Sequence, residues 1–253
     1  MILVLAKILV APLLLAASTF AAHRWGGAVG GWLLGLPLMS GPVSVLLFVE
    51  HGPGFTRSAA EGALMGIVAT GIFCLAYTVM APRSSWWRSL VIAYAACLGT
   101  VWLLSHVALT FNAALGFALG ALLLLALLVE EPAEEHTLPT PRKRMLAMRM
   151  VISSVSVFAI TASAWFLGAK VAGLLAPLPV LAAVMAASAH RNGGRAARGI
   201  LRGTVLGAWG GAGFFAVVGL LIGDLSPVAV YAAAVGAAVA AGGVAMKLRT
   251  FIA

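Results

Sequence analysis

The chain has 253 residues, of which 62% are hydrophobic and only 9% charged, whereas about a quarter of a soluble globular domain is charged. This balance excludes a soluble domain of any size. The formal charge of +9 comes from 16 basic residues scattered between apolar stretches of spanning length, a membrane distribution and not a nucleic-acid surface.

A run of about 20 apolar residues crosses a hydrocarbon core of about 30 Å. Such runs lie near 2–22, 29–49, 59–81, 86–105, 108–129, 146–167, 171–189, 199–222 and 226–246. They predict an all-α integral membrane protein with about nine transmembrane helices. The first run has no basic leader, carries Lys7 within its apolar part and lacks a cleavage site before His23 and Arg24, so it reads as helix 1 and not as a signal peptide. From Trp86 to Val129 the only polar interruption falls around Ser105, His106 and Asn112. A single helix there would be roughly 65 Å long, too long for one crossing, so two helices are expected. Cys74 and Cys97 both lie in apolar runs, which argues against a disulfide framework or a cysteine zinc site, and no cofactor or metal is expected. The segment 130–145, EEPAEEHTLPTPRKR in its core, is a charged, proline-bearing linker. It divides the chain into a first helical repeat with a spacer helix, 1–129, and a second helical repeat, 146–253.

Lysine and arginine collect on the cytoplasmic side of a membrane. With nine spans, one side receives Arg24, Arg83, Arg88, Arg142, Lys143, Arg144, Arg149, Arg191, Arg195, Arg198, Arg202, Lys247 and Arg249. The other receives Lys7, Arg57 and Lys170. Thirteen against three predicts the N-terminus outside and the C-terminus inside a bacterial-type inner membrane.

Two stretches lie over each other at an offset near 140: GWLLGLPLMSGPVSVLLFVEHGPGF from Gly31 and KVAGLLAPLPVLAAVMAASAHRNGGR from Lys170. Each carries two prolines near its middle, Pro37 and Pro42 or Pro177 and Pro179, and ends in a histidine before a glycine-containing turn. Each is followed by a helix with small residues at every fourth position: Gly62, Gly66 and Thr70 in the first half, Gly199, Gly203, Gly207 and Gly211 in the second. This spacing lets helix backbones approach closely, within a bundle or between protomers, and leaves the oligomeric state open. Five spans precede the second copy, so the repeats point in opposite directions across the membrane.

Inverted repeats with interrupted helices at matching positions mark secondary transporters, whose sites lie where the breaks face each other. Proline removes an N–H and frees a carbonyl one turn earlier, which needs a partner in the protein or in a water-filled cavity. The expected substrate site therefore comprises Pro37, Met39, Ser40, Gly41 and Pro42 with Pro177 and Pro179. Prolines that merely bend membrane helices are the simpler alternative.

Charged residues within spans are few. Glu50, His51 and Glu61, near one face, are candidates for proton coupling, against an ordinary i,i+4 ion pair of Glu61 with Arg57. Arg191, Arg195, Arg198 and Arg202 at the start of the eighth helix are candidates for a lipid headgroup or an anionic substrate, against the topological bias alone. The hydroxyls of Ser153, Ser154, Ser156, Tyr77 and Thr78 either line a polar path or bond to backbone carbonyls, the second being the simpler reading. No HExxH, GxSxG or CxxC occurs, and an enzyme would need His51, His106 or His190 to converge.

The run AGLLAPLPVLAAVMAASAHRNGG from Ala172, with the glycine-rich helix after it, resembles the small four-helix membrane proteins of the GlpM type. The resemblance implies a fused, antiparallel duplication of one four-helix unit, with helix 5 as the inverting spacer. The architecture also looks like the drug/metabolite transporter class, which is built from inverted halves, although that class usually has ten helices. The expected function is a secondary transporter or flippase for a largely uncharged or amphipathic small molecule, a lipid-linked one among the candidates. Membrane lipids and that substrate are its partners. The alternatives are a non-transporting assembly or accessory protein and, less favoured, an intramembrane enzyme.

Overall fold

The computed structural model describes residues 20–21, 24–38, 40–129, 151, 155, 166–191 and 194–252. Among them all regular structure is helical and no strand occurs. The expected helices at 2–22 and 146–167 and the linker 130–145 lie almost wholly outside the described residues.

The described elements are α1 (Gly27–Gly35), α2 (Ser40–Met80), α3 (Trp86–Ser105), α4 (Phe111–Leu128), α5 (Phe166–Leu175), α6 (Val180–His190), α7 (Gly194–Leu221) and α8 (Pro227–Ile252). Among the described residues five stretches are helical, long and apolar enough to cross a membrane, or six if α5 and α6, bent by 43° at their break, count as one. These are the helices of a membrane-embedded protein.

Helix α2 is not a rod. Its 41 residues would extend about 60 Å if straight. Gly52 interrupts it at φ 79, ψ −175, a left-handed setting that a side chain resists, and Pro53 follows without an N–H. The chain folds back there: Val43 and Leu47 from before the glycine share a buried cluster with Ala59 from after it. Thr56 and Ser58 hydroxyls donate to the Gly52 and Gly54 carbonyls, at 2.9 and 3.3 Å, and cover the turn. The limbs 40–51 and 53–80 therefore run antiparallel.

At the centre stands α7, packed against α1, α2, α4, α6 and α8. Its glycines explain how so many neighbours fit. A Cβ on Gly203 or Gly207 would fall closer than 3 Å to the Ala28 or Trp32 carbonyl of α1, and one on Gly31 would meet the Ile200 carbonyl equally closely. The second limb of α2 and α5 are clamped in the same way. A Cβ on Gly62 or Gly66 would strike the Lys170 or Leu174 carbonyl, and one on Gly173 the Ala59 carbonyl. The bundle thus contains two backbone-tight pairs, α1 with α7 and the second limb of α2 with α5, each joining an element from before residue 130 to one from after residue 165. By contrast α3, α4 and α8 turn large apolar side chains outward, among them Trp102, Leu124 and Val228.

Contacts along the second limb fix direction. Glu61, Thr70 and Tyr77 meet Lys170, Pro177 and His190 in that order, so this limb and α5–α6 run parallel. Two ends of the bundle follow. One holds the Gly52 turn, Val107 and Lys170, joined by a Lys170 Nζ donation to the Val107 carbonyl at 2.5 Å. The other holds Ala81, Val129, His190 and Gly194, where Arg202 bonds Val129 and Gly194 abuts the Ala81 carbonyl. Glu50, Arg57, Glu61, Lys170 and Asp224 belong to the first end; Arg83, Arg88, Arg191, Arg198 and Arg202 belong to the second.

Candidate functional site

Two helix interruptions meet at mid-length in the bundle. The first lies between α1 and α2. Proline disfavours the helical setting in the residue before it, and Leu36 is extended at φ −64, ψ 155. Leu38 N–H then turns back to the Leu36 carbonyl at 2.7 Å, and α2 starts when Gly41 N–H reaches the Pro37 carbonyl. The second lies between α5 and α6, where Pro177 and Pro179 remove two N–H donors within three residues. Leu178 N–H bonds the Leu175 carbonyl at 3.1 Å, Val180 N–H bonds the Leu178 carbonyl at 2.8 Å, and α6 begins.

Both interruptions line one cavity of about 50 Å³. Leu33 to Leu38 and Ser40 form one wall, and Ala176 to Pro179 with Leu181 and Ala182 form the opposite one. Ile67 and Thr70 of α2 and Thr204, Ala208 and Gly211 of α7 close the sides. Among the described residues no charged side chain lines it. Its side-chain polarity comes from hydroxyls. Thr70 donates to the Pro177 carbonyl at 2.7 Å, supplying the partner that the broken helix lacks, and Thr204 donates to the Ile200 carbonyl at 2.8 Å in its own helix.

Of the substrate-site residues expected from sequence, Pro37, Ser40, Pro177 and Pro179 line this cavity. Met39 is outside the described residues. Gly41 lies against the Phe214 ring, and Pro42 is exposed in the first turn of α2, where its missing N–H is harmless. Gly62, Gly66, Gly203 and Gly207 sit at the two tight interfaces, Gly199 faces Gly27, and Gly211 reaches the cavity.

The coupling candidates lie at the first end, away from the cavity. Glu50 is exposed, and His51 stacks on Phe55 with ring centroids 4.3 Å apart. Glu61 stands 3.7 Å from Lys170, a partner 109 residues away in sequence, in place of the expected Arg57. The arginine group is not one surface. Arg191 is exposed, Arg198 half-buried, and the side chain of Arg195 is outside the described residues. Arg202 is buried and donates to the Ala126 carbonyl at 2.5 Å and to the Val129 carbonyl, closing the carboxyl end of α4. Sequence reading missed this cap, and also the Lys170 partner of Glu61. The hydroxyl at Thr70 carried the one available signal, since proline-freed carbonyls in a bundle need a donor from a neighbouring helix.

Tyr77 Oη and His190 Nδ1 are 3.3 Å apart at the second end, while Ser153, Ser154 and Ser156 fall outside the described residues. His106 bonds Ser105 and the Trp102 carbonyl at the first end, so His190 is far from both His51 and His106. Among the described residues no group of three His, Cys, Asp or Glu side chains is placed to hold a metal. No family model matches this chain, and neither a curated protein nor a solved structure does.

Proposed function

We propose that this chain is a secondary transporter or flippase that moves a largely uncharged or amphipathic small molecule, lipid-linked in one form of the reading, across a bacterial-type inner membrane. The observation that carries the proposal is the meeting of two proline-broken helices, one from before residue 130 and one from after it, on a cavity whose described lining holds no charged side chain. Broken helices expose backbone polar groups that lipid cannot satisfy, and transporters use such groups at a midplane site.

Three further features support the reading. The glycine clamps come in matched sets: Gly62, Gly66 and Gly173 on one pair correspond to Gly203, Gly207 and Gly31 on the other at an offset of about 141. The second limb of α2 is antiparallel to the first and parallel to α5–α6, the relation that inverted repeats require. Basic residues gather at the second end of the bundle, in line with a C-terminus inside. The nine-span, N-out arrangement counts the Gly52 reversal as two crossings and adds helices at 2–22 and 146–167. A duplicated, inverted unit of the GlpM type fits the same plan.

At about 50 Å³ the cavity is well below the volume of pockets that enclose whole small molecules, so in this reading the structure is the closed form. The clamped pairs, α1 with α7 and the second limb with α5, are the bodies that rock to open it to either side. A cysteine-accessibility scan through residues 36–44 and 175–182, with Cys74 and Cys97 replaced, tests this with an impermeant reagent applied from each side. Labelling deep in both breaks supports transport. Unreactive breaks in a membrane whose loops label normally favour a packed assembly or accessory protein.

A further inference from the structure

The cavity wall presents backbone groups of both polarities. An α-helical carbonyl is normally met by the N–H three or four residues on. For Leu33 those residues are Leu36, whose N–H bonds Trp32, and Pro37, which has none. For Leu34 they are Pro37 and Leu38, whose N–H bonds Leu36. Across the cavity, Ala176 is followed at those distances by Pro179 and by Val180, whose N–H bonds Leu178. Three carbonyls at the cavity thus lack their local donors. Residues Leu181 and Ala182, in the first turn of α6, bring N–H groups with no helical acceptor to the same wall. The hydroxyl hydrogens of Thr70 and Thr204 are already given to Pro177 and Ile200, so these side chains present only lone pairs.

Buried polar groups need partners, and this set cannot be satisfied by a one-sided ligand. An anion only accepts and leaves the carbonyls bare; a cation only donates and faces the positive end of α6. Resting on the transport reading above, we infer that the cavity receives a neutral group that both donates and accepts hydrogen bonds, a hydroxyl above all, from the transported molecule. The volume agrees: about 50 Å³ takes one or two waters, or one such group while the remainder of the ligand lies outside.

Thermal unfolding of the purified full chain in nanodiscs tests the inference with four small probes: 1,2-propanediol, acetamide, sodium acetate and methylammonium chloride, at matched ionic strength. The two neutral probes are expected to raise Tm saturably and the two ionic ones not. Pro37→Ala supplies an N–H for the Leu33 carbonyl and is expected to weaken the neutral probes at least twofold. Ala182→Val fills the cavity and is expected to abolish their effect, which separates binding from general solvent stabilisation. If either substitution prevents folding, Thr70→Val, which frees one more carbonyl, should strengthen the neutral probes instead. Saturable stabilisation by acetate or methylammonium, or none by the neutral pair, overturns the inference. Should the cysteine scan nevertheless find both breaks open, transport survives and only this recognition chemistry falls.

Discussion

The hydroxyl of Thr70 donates to the carbonyl of Pro177 at 2.7 Å, so the second limb of α2 repairs from outside the backbone gap that Pro177 and Pro179 open in the helix beside it. Replacing Thr70 with valine keeps the shape and removes the donor. A lost buried hydrogen bond in a membrane bundle costs about 1 kcal/mol. Thr70→Val should therefore lower Tm in detergent by a few degrees, and Thr70→Ser should largely restore it.

The two glycine clamps predict matched effects. A methyl at Gly62 or Gly203 meets a facing backbone carbonyl, which cannot rotate away as a side chain can. Gly62→Ala and Gly203→Ala should each destabilise by about 2 kcal/mol or more, on the scale of overpacked interiors. Gly116→Ala, on α4 with no atom within 4 Å of its Cβ position, should be neutral or slightly stabilising because alanine is the better helix former. Parallel unfolding curves for the three variants check the ordering.

Lys170 makes two contacts at the first end, the ion pair with Glu61 and the donation to the Val107 carbonyl, whereas Glu61 shares only the first. Both side chains are about a quarter exposed, so the pair itself is worth about 1 kcal/mol or less. Lys170→Met should therefore be more destabilising than Glu61→Gln, and the double variant should resemble Lys170→Met alone. A double-mutant cycle read by thermal unfolding measures the coupling.

Arg202 is 4% exposed and closes the carboxyl end of α4 through the Ala126 and Val129 carbonyls. Arg202→Ala strips two buried acceptors of their donor and should lower stability by about 2–3 kcal/mol. Arg202→Lys keeps the charge but is the shorter side chain, so its ammonium should recover only part of it. If moving from neutral to anionic nanodiscs shifts the Tm of wild type and of Arg202→Ala equally, the residue serves α4 and not a headgroup.

Much of the helical plan was legible because apolar length is a strong signal. The run 86–105 coincides with α3, and the run 108–129 brackets α4. The breaks were legible through Pro37, Pro177 and Pro179, since no other residue removes a backbone donor. Pro42 misled because proline in a first helical turn breaks nothing. The sequence predicts a turn after His51 but not its tightness, which depends on the positive φ of Gly52 and on the Thr56 hydroxyl beneath it. The sequence neighbours of Glu61 and Arg202 do not reveal their partners, which are 109 and 73 residues away, at Lys170 and Val129. Contacts of that range are set by how helices assemble, which periodicity does not encode.

If the two clamped pairs rock about their shared cavity, as proposed, distances across both ends of the bundle change together. Spin labels at exposed positions, Arg57→Cys with Leu220→Cys at the first end and Arg24→Cys with Arg83→Cys at the second, report the separation of the second limb from α7 and from α1 in a background without Cys74 and Cys97. Rocking predicts two distance populations at each end, and conditions that widen one end should narrow the other. One unchanging distance at both ends, in protein that folds and labels fully, would contradict alternating access and leave the broken helices as fixed architecture.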